Sequence, residues 1–132
     1  MYQLSWRRPQ KQIIPFPSYK GRFYNKPVCD SWVPYIPLPS KPIRYLEIGV
    51  SDGGNLFWVA KVYGTHPDSK LHGIDPWMDY EEYPEYKGEQ EQGWNTFQTN
   101  LANSGHASKI TIHRGFSNDI VPTFANESFD MI

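Results

Sequence analysis

Three features of this sequence predict an α/β fold built on a doubly wound parallel sheet. Apolar runs of strand length recur at 43–49, 70–75 and 109–113, and another opens at 129–132. The segments between them carry apolar residues at helical spacing. The first run passes straight into a glycine-rich turn, the usual junction between a buried parallel strand and its crossover helix. Units of this kind cross over with right-handed connections, so helices cover both faces of the sheet.

Residues 1–42 form the first part of the chain and lack any helical or strand period. Eight prolines are interleaved there with Trp6, Phe16, Tyr19, Phe23, Tyr24, Trp32 and Tyr35. Disordered segments are usually poor in aromatics, so an extended arm lying over its own domain or over a partner is expected. The second part, 43–132, is the folded domain. Its first strand is interrupted only by Arg44 and Glu47. The next helix presents Leu56, Val59, Ala60 and Tyr63 on one face, and Gly64 ends it. After the strand 70–75, a helix over 93–103 carries Trp94, Phe97 and Leu101 on one stripe, with Gly105 as its stop. The third strand points Ile110 and Ile112 inward and Thr111 and His113 outward. Ser117 or Asp119 is expected to cap a short helix with Pro122 in its first turn, and 129–132 begins a fourth strand.

The candidate site lies at the tips of the first two strands. In LEIGVSDGGN (46–55), Gly49 and Gly53 let the backbone turn sharply and approach a ligand closely. In LHGIDPW (71–77), Asp75 stands at the end of the second strand, where a carboxylate can accept hydrogen bonds from a ribose diol. A dinucleotide fingerprint asks for glycine at positions one, three and six; here they are Gly49, Ser51 and Gly54. The carboxylate of Glu47, two residues ahead of that turn, would repel a pyrophosphate and attract a positively charged ligand.

On these residues the chain resembles the class I methyltransferases that use S-adenosylmethionine, most closely the branch of macrolide-sugar O-methyltransferases and cephalosporin-hydroxylase-like proteins. The resemblance implies the first four or so strands of a Rossmann-like sheet, in which the fourth pairs with the first. It implies that Glu47, Gly49, Ser51 and Gly53 hold the methionine part of the cofactor and that Asp75 binds the ribose hydroxyls. The run IHRGFSNDI (112–120) is similar to the third strand and the loop beside the adenine, which makes Gly115 and Phe116 adenine neighbours. In metal-dependent members an acidic residue after the fourth strand binds magnesium; that position would fall beyond Ile132, as would the half that holds substrate and any catalytic base. A truncated methyltransferase acting on an oxygen of a small molecule or sugar is the implied function. The alternative is a non-catalytic interaction protein that keeps the half fold and uses the arm as an assembly tether, alone as a homo-oligomer or with a partner protein.

Composition narrows the classes further. The formal net charge is −1 and says nothing of a partner, but the charges are segregated. Up to Arg44 there are eight basic residues against one acid, Asp30, whereas Asp79, Glu81, Glu82, Glu85, Glu89 and Glu91 surround a single Lys87. The arm has no dense basic run and the acidic loop opposes phosphates, which argues against nucleic acid. That loop, 76–93, is long enough to serve as a lid, as a solvated excursion or as a dock for the basic arm. Cys29 is the only cysteine, so no intrachain disulfide forms, and the four histidines match no metal-ligand spacing. With no apolar leader and no apolar run of spanning length, a soluble cytoplasmic chain away from membranes is expected.

Overall fold

The computed structural model describes residues 31–132. Its elements run β1 (Arg44–Ile48), α1 (Gly54–Val62), β2 (Lys70–Asp75), α2 (Gln90–Ser104), β3 (Ile110–Arg114) and the single turn α3 (Ser117–Ile120). Short 3-10 turns occur at Pro84–Tyr86, Ala107–Lys109 and Val121–Thr123. The strands are parallel in the order β1-β2-β3. On the opposite edge of β1, Met131 forms a parallel bridge to Tyr45, with the Leu46 N–H donating to the Met131 carbonyl at 3.0 Å. The strand expected over 129–132 is reduced to this bridge. Arg44 fastens it, its Nη2 donating to Asp130 Oδ1 at 2.7 Å and its backbone N–H to Asp130 Oδ2 at 2.8 Å.

Side chains alternate across a strand, so the parallel register sets Tyr45, Glu47, Leu71, Gly73, Asp75, Ile110 and Ile112 on one face. Helix α1 packs there. All five residues from Leu56 to Ala60 are buried, more than the single stripe read from spacing. The reason is a second layer over the helix. Phe57 stacks on Phe97 of α2 at 5.7 Å between centroids, and Trp32, Val33 and Ile36 pack against the same cluster. The Tyr63 hydroxyl donates to the Ile36 carbonyl at 3.1 Å. Trp32, Val33 and Ile36, within the segment assigned above to an arm, therefore lie against the domain. Residues 1–30 of the arm, with Cys29 and most of its basic residues, lie outside the described residues. Each fully buried Leu, Val or Phe of α1 contributes about 1.5–3 kcal/mol of transfer free energy.

Helix α2 begins at Gln90, three residues before the expected start, and ends at Gly105 in the left-handed conformation. Glu91 suits the positive end of the helix dipole, and Gly93 fits inside the first turn, where a Cβ would lie 3.6 Å from Trp77 Cδ1. The opposite sheet face is also covered. His113, expected to point into solvent, is half-buried because Phe124 and Phe129 fold back across it and His72. His72 Nδ1 and His113 Nε2 are 3.0 Å apart. Neither Ser117 nor Asp119 caps α3 with its side chain. Phe116 occupies the cap position, and its carbonyl accepts the N–H groups of Asp119 and Ile120, both at 3.1 Å. Pro122 lies in the following 3-10 turn, outside α3.

Candidate functional site

The turn after β1 is shaped by backbone sterics. Gly49 and Gly53 have φ of 85° and 88°, in the region that favours glycine. At Gly53 space reinforces the requirement, since a Cβ would lie 2.3 Å from the Phe57 ring. Ser51, between them, is also left-handed at φ 50°, and so is Trp77 at φ 42°.

The conformations of Ser51 and Trp77 are tied together by the Asp75 carboxylate. Its Oδ2 accepts the N–H groups of Val50 and Ser51, each at 2.9 Å, and its Oδ1 accepts the N–H of Trp77 at 2.9 Å. The Trp77 indole N–H donates back to the Ser51 carbonyl at 3.1 Å. Asp75 thus ties the first-strand turn to the second, a long-range link that the motif does not reveal.

Glu47 lies beneath the turn and is buried. Its Oε2 accepts the Tyr45 hydroxyl at 2.9 Å and Asn55 Nδ2 at 2.8 Å. Burial pushes its pKa from an ordinary 4.5 up to about 7, against the opposing pull of the hydrogen bonds from Asn55 and Tyr45, and with a smaller upward push from the Asp75 charge. The other amide atom, Asn55 Oδ1, is buried without a hydrogen-bond partner among the described residues. Sequence reasoning missed Tyr45 and Asn55. Tyr45 was within reach of the period-two rule, since residues two apart on a strand share a face.

Two clefts open on this assembly. One, of about 570 Å³, is lined by Ile48, Gly49, Asp75, Tyr80, Phe116 and Ser117 among others. The second, of about 480 Å³, runs toward α2 past Ser51, Asp52, Trp77, Tyr86, Glu89 and Thr96. Gly49, Asp75 and Tyr80 belong to both walls. Tyr80 also meets Phe116 edge-on at 6.1 Å and Tyr83 at 5.4 Å. Of the two expected adenine neighbours, Phe116 lines the first cleft, whereas Gly115 stands behind it, its N–H donating to the Asp75 carbonyl at 3.1 Å. A Cβ on Gly115 would lie 2.8 Å from Ile120. Glu47 lines neither cleft. The acidic loop is anchored at its far end, where Asp79 accepts the Gly88 N–H at 3.0 Å. Among the described residues no group of three or more His, Cys, Asp or Glu side chains could hold a metal ion, and no helix is long and apolar enough to cross a membrane.

Strands that deliver a glycine turn and an acidic tip side by side define an α/β domain of the nucleotide-binding type. A family described as "Methyltransferase domain" matches residues 46–132, and the chain belongs to that family. No curated protein matches it significantly. Among solved structures it is similar to the O-methyltransferase TomG from Streptomyces achromogenes, described as involved in tomaymycin synthesis and in complex with SAM. Identity is 27% and the TM-score 0.49, over 67% of this chain and 34% of that one. It is similar to cofactor-bound Rv0187 from MTB at 26% identity and a TM-score of 0.46, over 66% and 33% of the two chains. A protein from Klebsiella pneumoniae assigned as an O-methyltransferase shares the fold at a TM-score of 0.52 and 17% identity, over 84% of this chain and 42% of that one. The chain thus spans less than half the length of each. The partial Rossmann-like methyltransferase fold expected from the sequence is the fold observed.

Proposed function

We propose that the chain binds S-adenosylmethionine across the carboxyl ends of β1, β2 and β3, and that it is the cofactor-holding part of a methyltransferase acting on an oxygen of a small molecule. The observation that carries this reading is the convergence of Gly49 and Asp75 on both clefts, inside the segment that matches the methyltransferase family. The chemistry of the walls agrees with it. Asp52, Asp75, Glu81, Glu82 and Glu89 line the two clefts, and no Lys, Arg or His does among the described residues. Such walls suit the sulfonium and ammonium of this cofactor and oppose the pyrophosphate of a dinucleotide. The unpartnered Asn55 Oδ1, on the amide that binds Glu47, is a further acceptor at the glycine end.

In this reading the turn of Gly49, Ser51 and Gly53, backed by Glu47, takes the methionine portion. Asp75 turns the remaining acceptor capacity of Oδ1 toward the ribose, and Phe116, held by Gly115, borders the adenine. The bound cofactor supplies a methyl group on a positively charged sulfur, open to attack by a nucleophile. The chain's contribution is to fix its orientation, which lowers the entropic cost of the transfer. A cytoplasmic setting suits a chain whose only cysteine is Cys29.

Calorimetry with S-adenosylhomocysteine tests the assignment. The unmutated chain should bind, and Asp75→Ala should bind at least about tenfold more weakly, since a charged acceptor and the turn it holds are both lost. Equal affinity in the two, or no binding by the unmutated chain, would refute it.

A further inference from the structure

We propose that Trp77 is a positioning residue for the glycine turn: its indole N–H, bound to the Ser51 carbonyl, holds Ser51 in the left-handed conformation that aims the Val50 and Ser51 N–H groups at Asp75. The inference rests on the cofactor reading above and adds a residue that neither the motif nor the family match singles out. Three hydrogen bonds close a circuit. The Trp77 N–H donates to Asp75 Oδ1, Ser51 donates to Asp75 Oδ2, and the indole donates to Ser51. Two of its three members, Ser51 and Trp77, occupy a backbone region that side chains disfavour, and such conformations persist only where the surroundings over-determine them.

Packing alone does not explain a tryptophan here. Trp77 is 2% exposed, and its ring lies 4.8 Å from Trp94 and 5.0 Å from Phe97, centroid to centroid. A phenylalanine would fill most of that space. Only the indole carries a donor, and a buried indole N–H needs an acceptor. That acceptor is the carbonyl of the one non-glycine residue of the turn that is left-handed. Through the ring contacts, the turn is also fastened to α2.

The test is a double-mutant cycle of Trp77→Phe and Ser51→Gly in the chain, read by amide exchange at Val50 and Ser51 and by S-adenosylhomocysteine affinity. Trp77→Phe should speed exchange of both amides about tenfold and weaken binding about five- to tenfold, the worth of one neutral hydrogen bond. In the Ser51→Gly background the same change should cost less than about twofold, because glycine adopts that φ unaided. Unaltered exchange at Val50 and Ser51, or an equal loss in both backgrounds, overturns the proposal; the second result would mean that only ring packing was lost. If the unmutated chain does not bind the probe, the cofactor reading fails, and exchange alone decides on Trp77. A check free of any variant's folding is exchange of the Trp77 indole N–H itself. Protection supports the circuit, and exchange at the rate of an exposed tryptophan overturns it.

Discussion

Glu47→Gln should make the protein more stable in alkaline solution and leave it nearly unchanged in mild acid. The Glu47 carboxyl is buried and its pKa stands at about 7 in the folded chain, against an ordinary 4.5. A raised folded pKa means that the folded state binds the proton more tightly. The stability linked to that proton is fully present below 4.5 and is lost as the pH rises through about 7. At about 1.4 kcal/mol for each pH unit between the two values, the loss amounts to about 3 kcal/mol. Glutamine keeps an oxygen for the Tyr45 hydroxyl and Asn55 Nδ2, the two donors that Oε2 now satisfies, and it never ionises. Denaturant unfolding of both proteins at pH 5, 7 and 9 measures the difference directly, since every other titrating group cancels between them. The variant should gain less than about 1 kcal/mol at pH 5 and about 3 kcal/mol at both pH 7 and pH 9, since the loss is nearly complete once the pH reaches the folded value. That is a large share of a typical domain's total. Parallel curves at all three values, or a variant less stable at pH 9, would show that Glu47 is solvated or paired in a way these contacts do not describe.

Gly53→Ala combines a positive φ of 88° with a Cβ 2.3 Å from the Phe57 ring, and should cost about 3 kcal/mol, read as a fall in melting temperature; a loss within experimental error would mean that the turn relaxes freely. On the acid side, burial and then the nearby His113 hold the His72 pKa below its ordinary value. A depressed histidine lends stability that is present above its unfolded pKa of about 6.5 and fades as the pH falls, so His72→Asn should flatten the decline between pH 7 and 5. Melts at the two pH values decide it, and an unchanged slope would refute the role of the pair.

Most of the frame was legible because it depends on periodicity. The second strand coincides with Lys70–Asp75 as read, and the first is shorter than its reading by one residue at each end. Boundaries set by local competition were not legible: α2 gained three residues ahead of Gly93, its expected first residue, and α3 is capped by backbone where Ser117 and Asp119 offered side chains. His113 illustrates a further limit. Its outward place in the alternation was right, and its burial depended on Phe124 and Phe129 returning over the sheet, which no local pattern announces. Glu47, Gly49, Ser51, Gly53 and Asp75 were found as a motif and do cluster in space. Trp77 was missed because what recruits it is the meeting of two strand tips, a contact across 26 positions, whereas Tyr45 and Asn55 lie only two and eight residues from Glu47 and were missed within local reach.

The bridge at Met131 has a consequence for where any ligand can sit. From β1 the sheet grows in one direction through β2 and β3, and Met131 lies on the other side of β1. The chain therefore reverses its sense of winding at β1. Connections leaving the carboxyl ends of neighbouring strands then diverge to opposite faces, and a crevice opens at the reversal. Gly49, which follows β1 directly, stands at that reversal, so the location of the opening is a property of connectivity. Substitutions among its side chains can change what the crevice accepts. Moving it would require a different strand order.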